Sequence, residues 1–157
     1  MIDKTTAIIE FLRECPTIKA NPVFFNFGEV EDGTYQANIQ SDEVLLNLHF
    51  IDGSVLKRYT LFLDSFKSVS YIPVVNGKSD ENLEGFSEVQ EVIDWINDKS
   101  NEQEFPDFGE DFVIEDMKTL TDRPALVGVN TQQNPPMAVY RISIQIDYVD
   151  LTKRIWC

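Results

Sequence analysis

The sequence predicts an α+β domain in which a mainly antiparallel sheet carries two amphipathic helices on one face. Within residues 137–149, apolar and polar side chains alternate strictly from Tyr140 to Tyr148. This period of two predicts a long strand with one buried face, which is typical of antiparallel sheets. Asp52 and Gly53 lie between two β-forming runs and predict a hairpin, and residues 82–99 have the apolar spacing of a helix. Because both predicted helices are one-sided, we expect them to cover one face of a single sheet.

The N-terminal part of the chain predicts a helix, a strand and a loop. Apolar residues recur at helical spacing over residues 4–14, and Pro16 ends the helix. The bulky run 23–27 predicts the first strand. Residues 29–41 contain few apolar side chains and predict a loop, which has room for a short strand at residues 35–39.

A β-hairpin over residues 44–64 is the clearest local prediction. Asp52 and Gly53 separate its two β-forming runs, and both residue types tolerate the positive φ that a tight turn requires. Residues 66–75 either continue the sheet or wrap its edge, and Pro73 disfavours a central strand there.

The C-terminal half begins with the main helix at residues 82–99, followed by a loop over residues 101–111. Residues 112–120 predict a strand, although their central part is also compatible with a helix. Residues 123–136 predict a long polar connection that leads into the strand at 137–149. The predicted order is therefore a helix, antiparallel strands, a longer helix and two final strands.

The composition predicts one domain that covers residues 1–157. Hydrophobic residues make up 43% of the chain, an ordinary share for a folded domain. Cys15 and Cys157 are too few for a disulfide framework, so we expect reduced thiols. The first residues lack the apolar core of a signal peptide, and no apolar run is long enough to span a bilayer. We therefore expect synthesis in a cytoplasm and no role in a membrane.

The charge balance is strongly acidic and excludes several classes of partner. The chain has 27 acidic and 13 basic side chains, which gives a net charge of −14. The basic residues group only in the pairs 57–58 and 153–154, whereas binding to nucleic acid needs clustered Lys and Arg. We expect no sequence-specific nucleic-acid binding, and the same charge disfavours anionic membranes.

No constellation of residues in the sequence indicates catalysis. His49 is the sole histidine, which removes most catalytic triads and most metal sites with histidine ligands. Residues 107–109 spell the magnesium-binding triplet of protein kinases, but the phosphate loop and catalytic loop of kinases are missing. The carboxylates within residues 107–111 do not have the spacing of a calcium loop. The sequence therefore predicts no enzyme, no catalytic residues, no metal site and no cofactor.

Two groups of side chains are candidate contact surfaces. Five carboxylates recur at steps of three and four along the main helix: Glu84, Glu88, Glu91, Asp94 and Asp98. This acidic stripe is either a solvated helix face or a surface turned toward a partner or a channel. Phe105, Phe108 and Trp156 are candidate interface residues, because exposed aromatic side chains favour interfaces. Plain packing in the core is the alternative for these aromatic residues.

Four short stretches, together with the order of the elements, carry a family resemblance. They are residues 46–53 (LNLHFIDG), 91–96 (EVIDWI), 105–109 (FPDFG) and 144–148 (IQIDY). In these stretches the chain resembles small proteins of long-tailed phages that infect Gram-positive bacteria, usually called minor capsid or tail-completion proteins. It is similar to the tail terminator kind, and the resemblance covers nearly the whole chain.

The resemblance implies a compact α/β subunit that assembles into a ring, usually a homohexamer, and has no catalytic residues. Such a ring caps the head-proximal end of the tail tube, stops tube elongation and allows joining to the filled head. The implied partners are further copies of the chain, the major tail tube protein and a head-neck connector protein, and the implied location is the virion. A head-completion or connector protein of the neck is the alternative within the virion. A free acidic monomer that mimics DNA, or acts as another binding module, is the alternative of a different class.

A ring through which DNA passes gains from a lumen that repels phosphate. The acidic stripe of the main helix is therefore a candidate lining of that lumen.

Overall fold

The computed structural model describes residues 4–19, 23–25, 33–49, 53–68, 81–130 and 136–152. Within these ranges it contains helices α1 (Lys4–Leu12) and α2 (Glu81–Asn101). The strands are β1 (Val23–Phe25), β2 (Tyr35–His49), β3 (Val55–Ser68), β4 (Phe112–Thr119), β5 (Ala125–Asn130) and β6 (Met137–Asp150). The predicted α+β class is confirmed.

The described strands form one six-stranded sheet in the order β1-β2-β3-β6-β4, with β5 also paired to β6. All pairs are antiparallel except β1 with β2, so the predicted mainly antiparallel sheet is confirmed. The central strands β3 and β6 pair along their full lengths, from Val55 opposite Asp150 to Ser68 opposite Met137. On its other edge, β6 pairs with β5 near its N-terminus and with β4 in its C-terminal half.

Both helices cover the same face of this sheet, as the sequence predicts. Alternating side chains of the central strands form the floor of the core: Tyr59, Leu61, Leu63, Tyr140, Ile142, Ile144, Ile146 and Tyr148. The helices contribute the opposing layer, which includes Ile8, Leu12, Val89, Ile93 and Ile96. A Cβ at Gly85 would lie 3.3 Å from the Cβ of Lys67, so the glycine allows α2 to approach β3 closely.

The opposite face of the central strands carries two matched charge pairs. Arg58 lies opposite Asp147, and Asp64 lies opposite Arg141. In each pair the guanidinium donates two hydrogen bonds to the carboxylate, at 2.8 and 3.2 Å. Such forked cross-strand pairs stabilise one register of the two strands.

The predicted hairpin is confirmed, but its first strand begins much earlier than predicted. His49 lies opposite Val55, and Gly53 has a φ of 87°, while Asp52 lies outside the described residues. Residues 29–32 of the predicted loop over residues 29–41 lie outside the described residues. The short strand allowed at residues 35–39 is confirmed as the start of β2, whereas the predicted loop is wrong at residues 40 and 41, because β2 continues to His49. This strand lies near the sheet edge, where polar side chains remain solvated, so its composition resembles that of a loop.

The predicted polar connection over residues 123–136 is also wrong, because residues 125–130 form β5. The chain therefore has three strands after α2 in the described part, where two were predicted. Of the stretch 66–75, residues 66–68 continue β3 at the centre of the sheet, and Pro73 lies outside the described residues. The strand prediction at residues 112–120 is confirmed by β4, and the helical alternative there is excluded.

Truncation of a buried leucine should cost much more unfolding free energy than truncation of an exposed one. Leu61 in β3 is fully buried, so Leu61→Ala should lower the free energy of unfolding by about 2–5 kcal/mol, through lost burial and the cavity it leaves. Urea unfolding followed by circular dichroism measures this loss. Leu120→Ala is the matched control, because Leu120 is 50% exposed and its truncation should cost less than about 0.5 kcal/mol. Equal losses in the two variants would contradict the assignment of the core.

Candidate functional site

The acidic stripe lies along the side of α2 that faces away from the core. Glu88, Glu91, Asp94 and Asp98 are exposed, whereas the valines and isoleucines of the same helix are buried. Glu84 belongs to α2, but its side chain lies outside the described part of the structure. The helix therefore presents four described carboxylates on one solvent-facing surface.

Two members of the stripe have partners in other parts of the chain. Glu88 forms an ion pair with Lys67, whose ammonium group reaches it from the buried side of β3. Thr17 donates a hydrogen bond of 3.0 Å to the carboxylate of Glu91. Because Lys67 is almost fully buried, Glu88 provides the charge that the buried ammonium requires. Glu88 thus neutralises a buried charge and Glu91 binds Thr17, while both remain exposed beside Asp94 and Asp98.

The aromatic loop after α2 packs against the core. Phe108 is 2% exposed, and its ring centre lies 5.5 Å from that of Tyr148 and 6.1 Å from that of Tyr59. The prediction of Phe108 as an exposed interface contact is therefore wrong, because its ring fills the space between the helices and the sheet. Phe105 is half-buried and packs against the same core, and Trp156 lies outside the described residues.

The loop that carries Asp107 closes as a tight turn. Its carboxylate accepts a hydrogen bond of 2.9 Å from the backbone N–H of Gly109, which has a φ of 103°. Among the described residues, no three His, Cys, Asp or Glu side chains are grouped to hold a metal ion. The side chain of His49 lies outside the described part.

A cleft of about 250 Å³ lies between α1 and the loop that follows α2. Its floor is apolar and includes Phe11 and Pro106, and its rim is acidic. Lys99 lies on the same rim and already pairs with Glu104 at 2.6 Å. This hydrogen bond raises the pKa of Lys99, so the lysine stays charged. The acidic residues of the lining favour a cationic ligand over an anionic one. The one lysine of the lining already forms an ion pair with Glu104.

Four of the seven large apolar side chains that are exposed among the described residues lie on β5 or between β4 and β5. Leu126 is 56% exposed, Val127 47% and Val129 42%, and Leu120 is 50% exposed. Every residue of β5 is exposed, so both faces of the strand meet solvent. One edge of β5 pairs with β6, and the described part of the chain places no strand on the other edge. Exposed apolar edges of this kind are typical interaction surfaces.

The sequence indicates this surface by a long run without charged residues. Residues 124–140 contain no Asp, Glu, Lys or Arg, and no longer uncharged run occurs in the chain. The run includes all of β5 and the start of β6. In a protein of net charge −14, it marks the surface that like-charged molecules can approach with the least repulsion.

Comparison with protein-family models gives no match, and comparison with curated proteins gives none either. The relation to the tail terminator family therefore stays a prediction. No helix in the described ranges is long and apolar enough to cross a membrane.

Buried hydroxyl and thiol groups on the core face stay protonated. Burial raises the pKa of Tyr35 to about 12. Burial, together with the hydrogen bond that the Tyr148 hydroxyl donates to Asp42, raises the pKa of Tyr148 still further. Burial also raises the pKa of Cys15, which keeps this free thiol in its unreactive form.

The raised pKa of Tyr35 predicts a specific loss of stability in alkali. In the unfolded chain Tyr35 ionises near its ordinary pKa of about 10, so the folded state loses stability as the pH rises from about 10 toward 12. Between pH 9 and 11, the wild type should lose about 1 kcal/mol more unfolding free energy than Tyr35→Phe, which cannot ionise there. Urea unfolding at both pH values measures the difference, and the shared ionisations of other groups cancel. Identical losses would show that Tyr35 ionises equally in both states.

Proposed function

We propose that this protein is a structural subunit of a phage virion that works by joining copies of itself. In this proposal it forms a ring at the head-proximal end of the tail tube, where it ends tube elongation and allows joining to the filled head. Its partners are further copies of the chain, the major tail tube protein and a head-neck connector protein. The observation that carries the proposal is the exposed, uncharged β5, with three large apolar side chains, in a chain of net charge −14.

Two physical effects favour self-assembly at this strand. Burial of exposed apolar surface is the usual driving force of association. Acidic copies repel one another wherever carboxylates meet, so contact is favoured where charge is lacking. The resemblance of residues 46–53, 91–96, 105–109 and 144–148 to tail-completion proteins supports the virion as the place of this assembly.

Removal of the protein from an infecting phage tests the proposed position. Without it, we expect tail tubes of uncontrolled length and filled heads that carry no tails, because nothing stops the tube or offers a docking surface. Electron microscopy of the lysates measures tube length, and expression of the wild-type chain in trans should restore normal virions.

Two other outcomes would contradict the terminator role. Tails of normal length beside unjoined heads would favour a connector of the neck. Normal virions that contain no trace of the protein by mass spectrometry would favour a free acidic binding module.

The acidic stripe makes a separate prediction within the same proposal, in which it lines the DNA channel. The triple change Glu91→Lys, Asp94→Lys and Asp98→Lys should reduce infectious titre by about tenfold or more, because an attractive lumen retards DNA. Glu88 is left intact because it pairs with the buried Lys67, whereas Glu91 loses only an exposed hydrogen bond from Thr17.

A matched control carries the same change in net charge on exposed residues outside the stripe: Glu102→Lys, Glu110→Lys and Glu115→Lys. Particle counts by electron microscopy should be equal for both variants, while plaque titres differ. Equal titres for the two variants would show that the acidic stripe does not line the DNA channel.

A further inference from the structure

The cleft between α1 and the loop after α2 lies where both helices end. Glu10 and Phe11 belong to the last turn of α1, and Glu14 lies just after that helix. Lys99 belongs to the last turn of α2, and its backbone carbonyl accepts a hydrogen bond of 2.9 Å from the N–H of Glu104. Because the C-terminal end of a helix carries a partial negative charge, both helix ends favour a cation in the cleft.

The side chains of the lining add to the negative charge of the helix ends. The lining holds four carboxylates, all of them exposed, and one lysine, which pairs with Glu104. Among the described residues, no cation forms an ion pair with the other three carboxylates, which are Glu10, Glu14 and Asp107. Carboxylates near the C-terminal end of α1 are unfavourable for that helix, and a cation in the cleft would offset this cost.

The floor of the cleft is apolar and is held in place by packing. Phe11 is 7% exposed, and its ring centre lies 4.9 Å from that of Trp95. Pro106 is buried, and Phe105 is half-buried against the core. An apolar floor below an acidic rim fits a ligand that has an apolar stem and a cationic head.

The size of the cleft and the arrangement of its carboxylates select among cations. Its volume of about 250 Å³ lies below the roughly 300–1,000 Å³ of pockets that enclose a whole small-molecule ligand, so it suits a single side chain. In the described part of the chain, no three His, Cys, Asp or Glu side chains are grouped to hold a metal ion. Arginine suits this geometry, because its stem packs on apolar surface and its planar guanidinium offers N–H donors to more than one carboxylate.

We propose that this cleft binds the side chain of an arginine on a basic partner protein. The stem of the arginine lies on Phe11 and Pro106, and its guanidinium donates hydrogen bonds to Glu10 and Glu14 at the rim. The net charge of −14 attracts a basic protein over a distance, whereas a second copy of the chain is repelled from an acidic cleft. The lining contains no residue of β5 or of the acidic stripe, so the site does not rest on the proposed function.

A titration of the isotope-labelled full chain with the peptide acetyl-Gly-Arg-Gly-amide tests the site. We expect the backbone amide NMR signals of Phe11 and Lys99 to shift and to saturate, with a dissociation constant on the order of 1 mM. The same peptide with citrulline in place of arginine has nearly the same shape but no charge. It should cause shifts about tenfold smaller, because it forms no charge-assisted hydrogen bonds.

Two double variants with the same change in net charge separate the cleft from the general acidity of the chain. Glu10→Gln with Glu14→Gln should weaken peptide binding about fivefold or more, because two carboxylates of the rim are lost. Glu43→Gln with Glu115→Gln removes two exposed carboxylates outside the lining and should change binding less than about twofold, because distant charges are screened. Circular dichroism spectra equal to that of the wild type show that both variants fold.

Other occupants of the cleft give different results, and each of these results overturns the proposal. Spermidine that binds at the same amides more tightly than the arginine peptide would identify a site for a free polyamine. Peptide binding that appears only after Lys153→Ser with Arg154→Ser would show that the chain's own tail occupies the cleft. A loss of self-association by Glu10→Gln with Glu14→Gln, measured by light scattering, would identify a second copy as the occupant.

Three further results would show that the cleft is not an arginine site. They are equal weakening of binding in the two double variants, equal shifts with the citrulline peptide, and no shift at about 10 mM arginine peptide. None of these results bears on tail length or on joining to the head, so the proposed function stands or fails separately.

Discussion

The pairing of β3 with β6 is the constraint on which the rest of the structure depends. A slip of this pair by one residue would turn every side chain to the other face and expose the core. A slip by two residues would keep the faces but would move Arg58 from Asp147 to Gln145 or Val149, and it would separate Arg141 from Asp64 in the same way. The apolar face therefore excludes odd slips, and the forked charge pairs disfavour even ones. With the register fixed, the floor on which both helices pack is fixed as well.

Because both helices pack on that floor, the chemistry available to partners lies elsewhere. The outer side of α2 carries exposed carboxylates, and the two sides of the sheet end in strands of different character. Lys67 links these regions, since it belongs to β3, lies beneath α2 next to Gly85, and is neutralised by Glu88. Glu88 and Glu91 of the stripe thus also contact other parts of the fold, and all four described carboxylates remain exposed.

The sequence predicts elements that are buried on one side and misses those that are exposed on both. β6 and α2 were predictable because burial of one face imposes a period of two or of three to four residues. β5 has no buried face, so no period marks it, and only its β-forming residues and lack of charge indicate it. The long β2 contains polar residues because its edge is solvated. Phe108 shows a further limit: an aromatic residue in a polar loop has the same local pattern whether it enters the core or faces a partner, and only its contacts with Tyr59 and Tyr148 decide.

The distribution of charge decides which surfaces of this acidic chain another acidic molecule can approach with little repulsion. At physiological ionic strength, charges are screened over about 8 Å, so repulsion between two copies depends on charges near the contact more than on the total. Most approaches bring carboxylates together and are unfavourable. An approach through β5 presents a strand within the uncharged run 124–140 and exposes apolar area that gains from burial. The net charge of −14 therefore acts against random association and leaves this strand as the favoured point of contact.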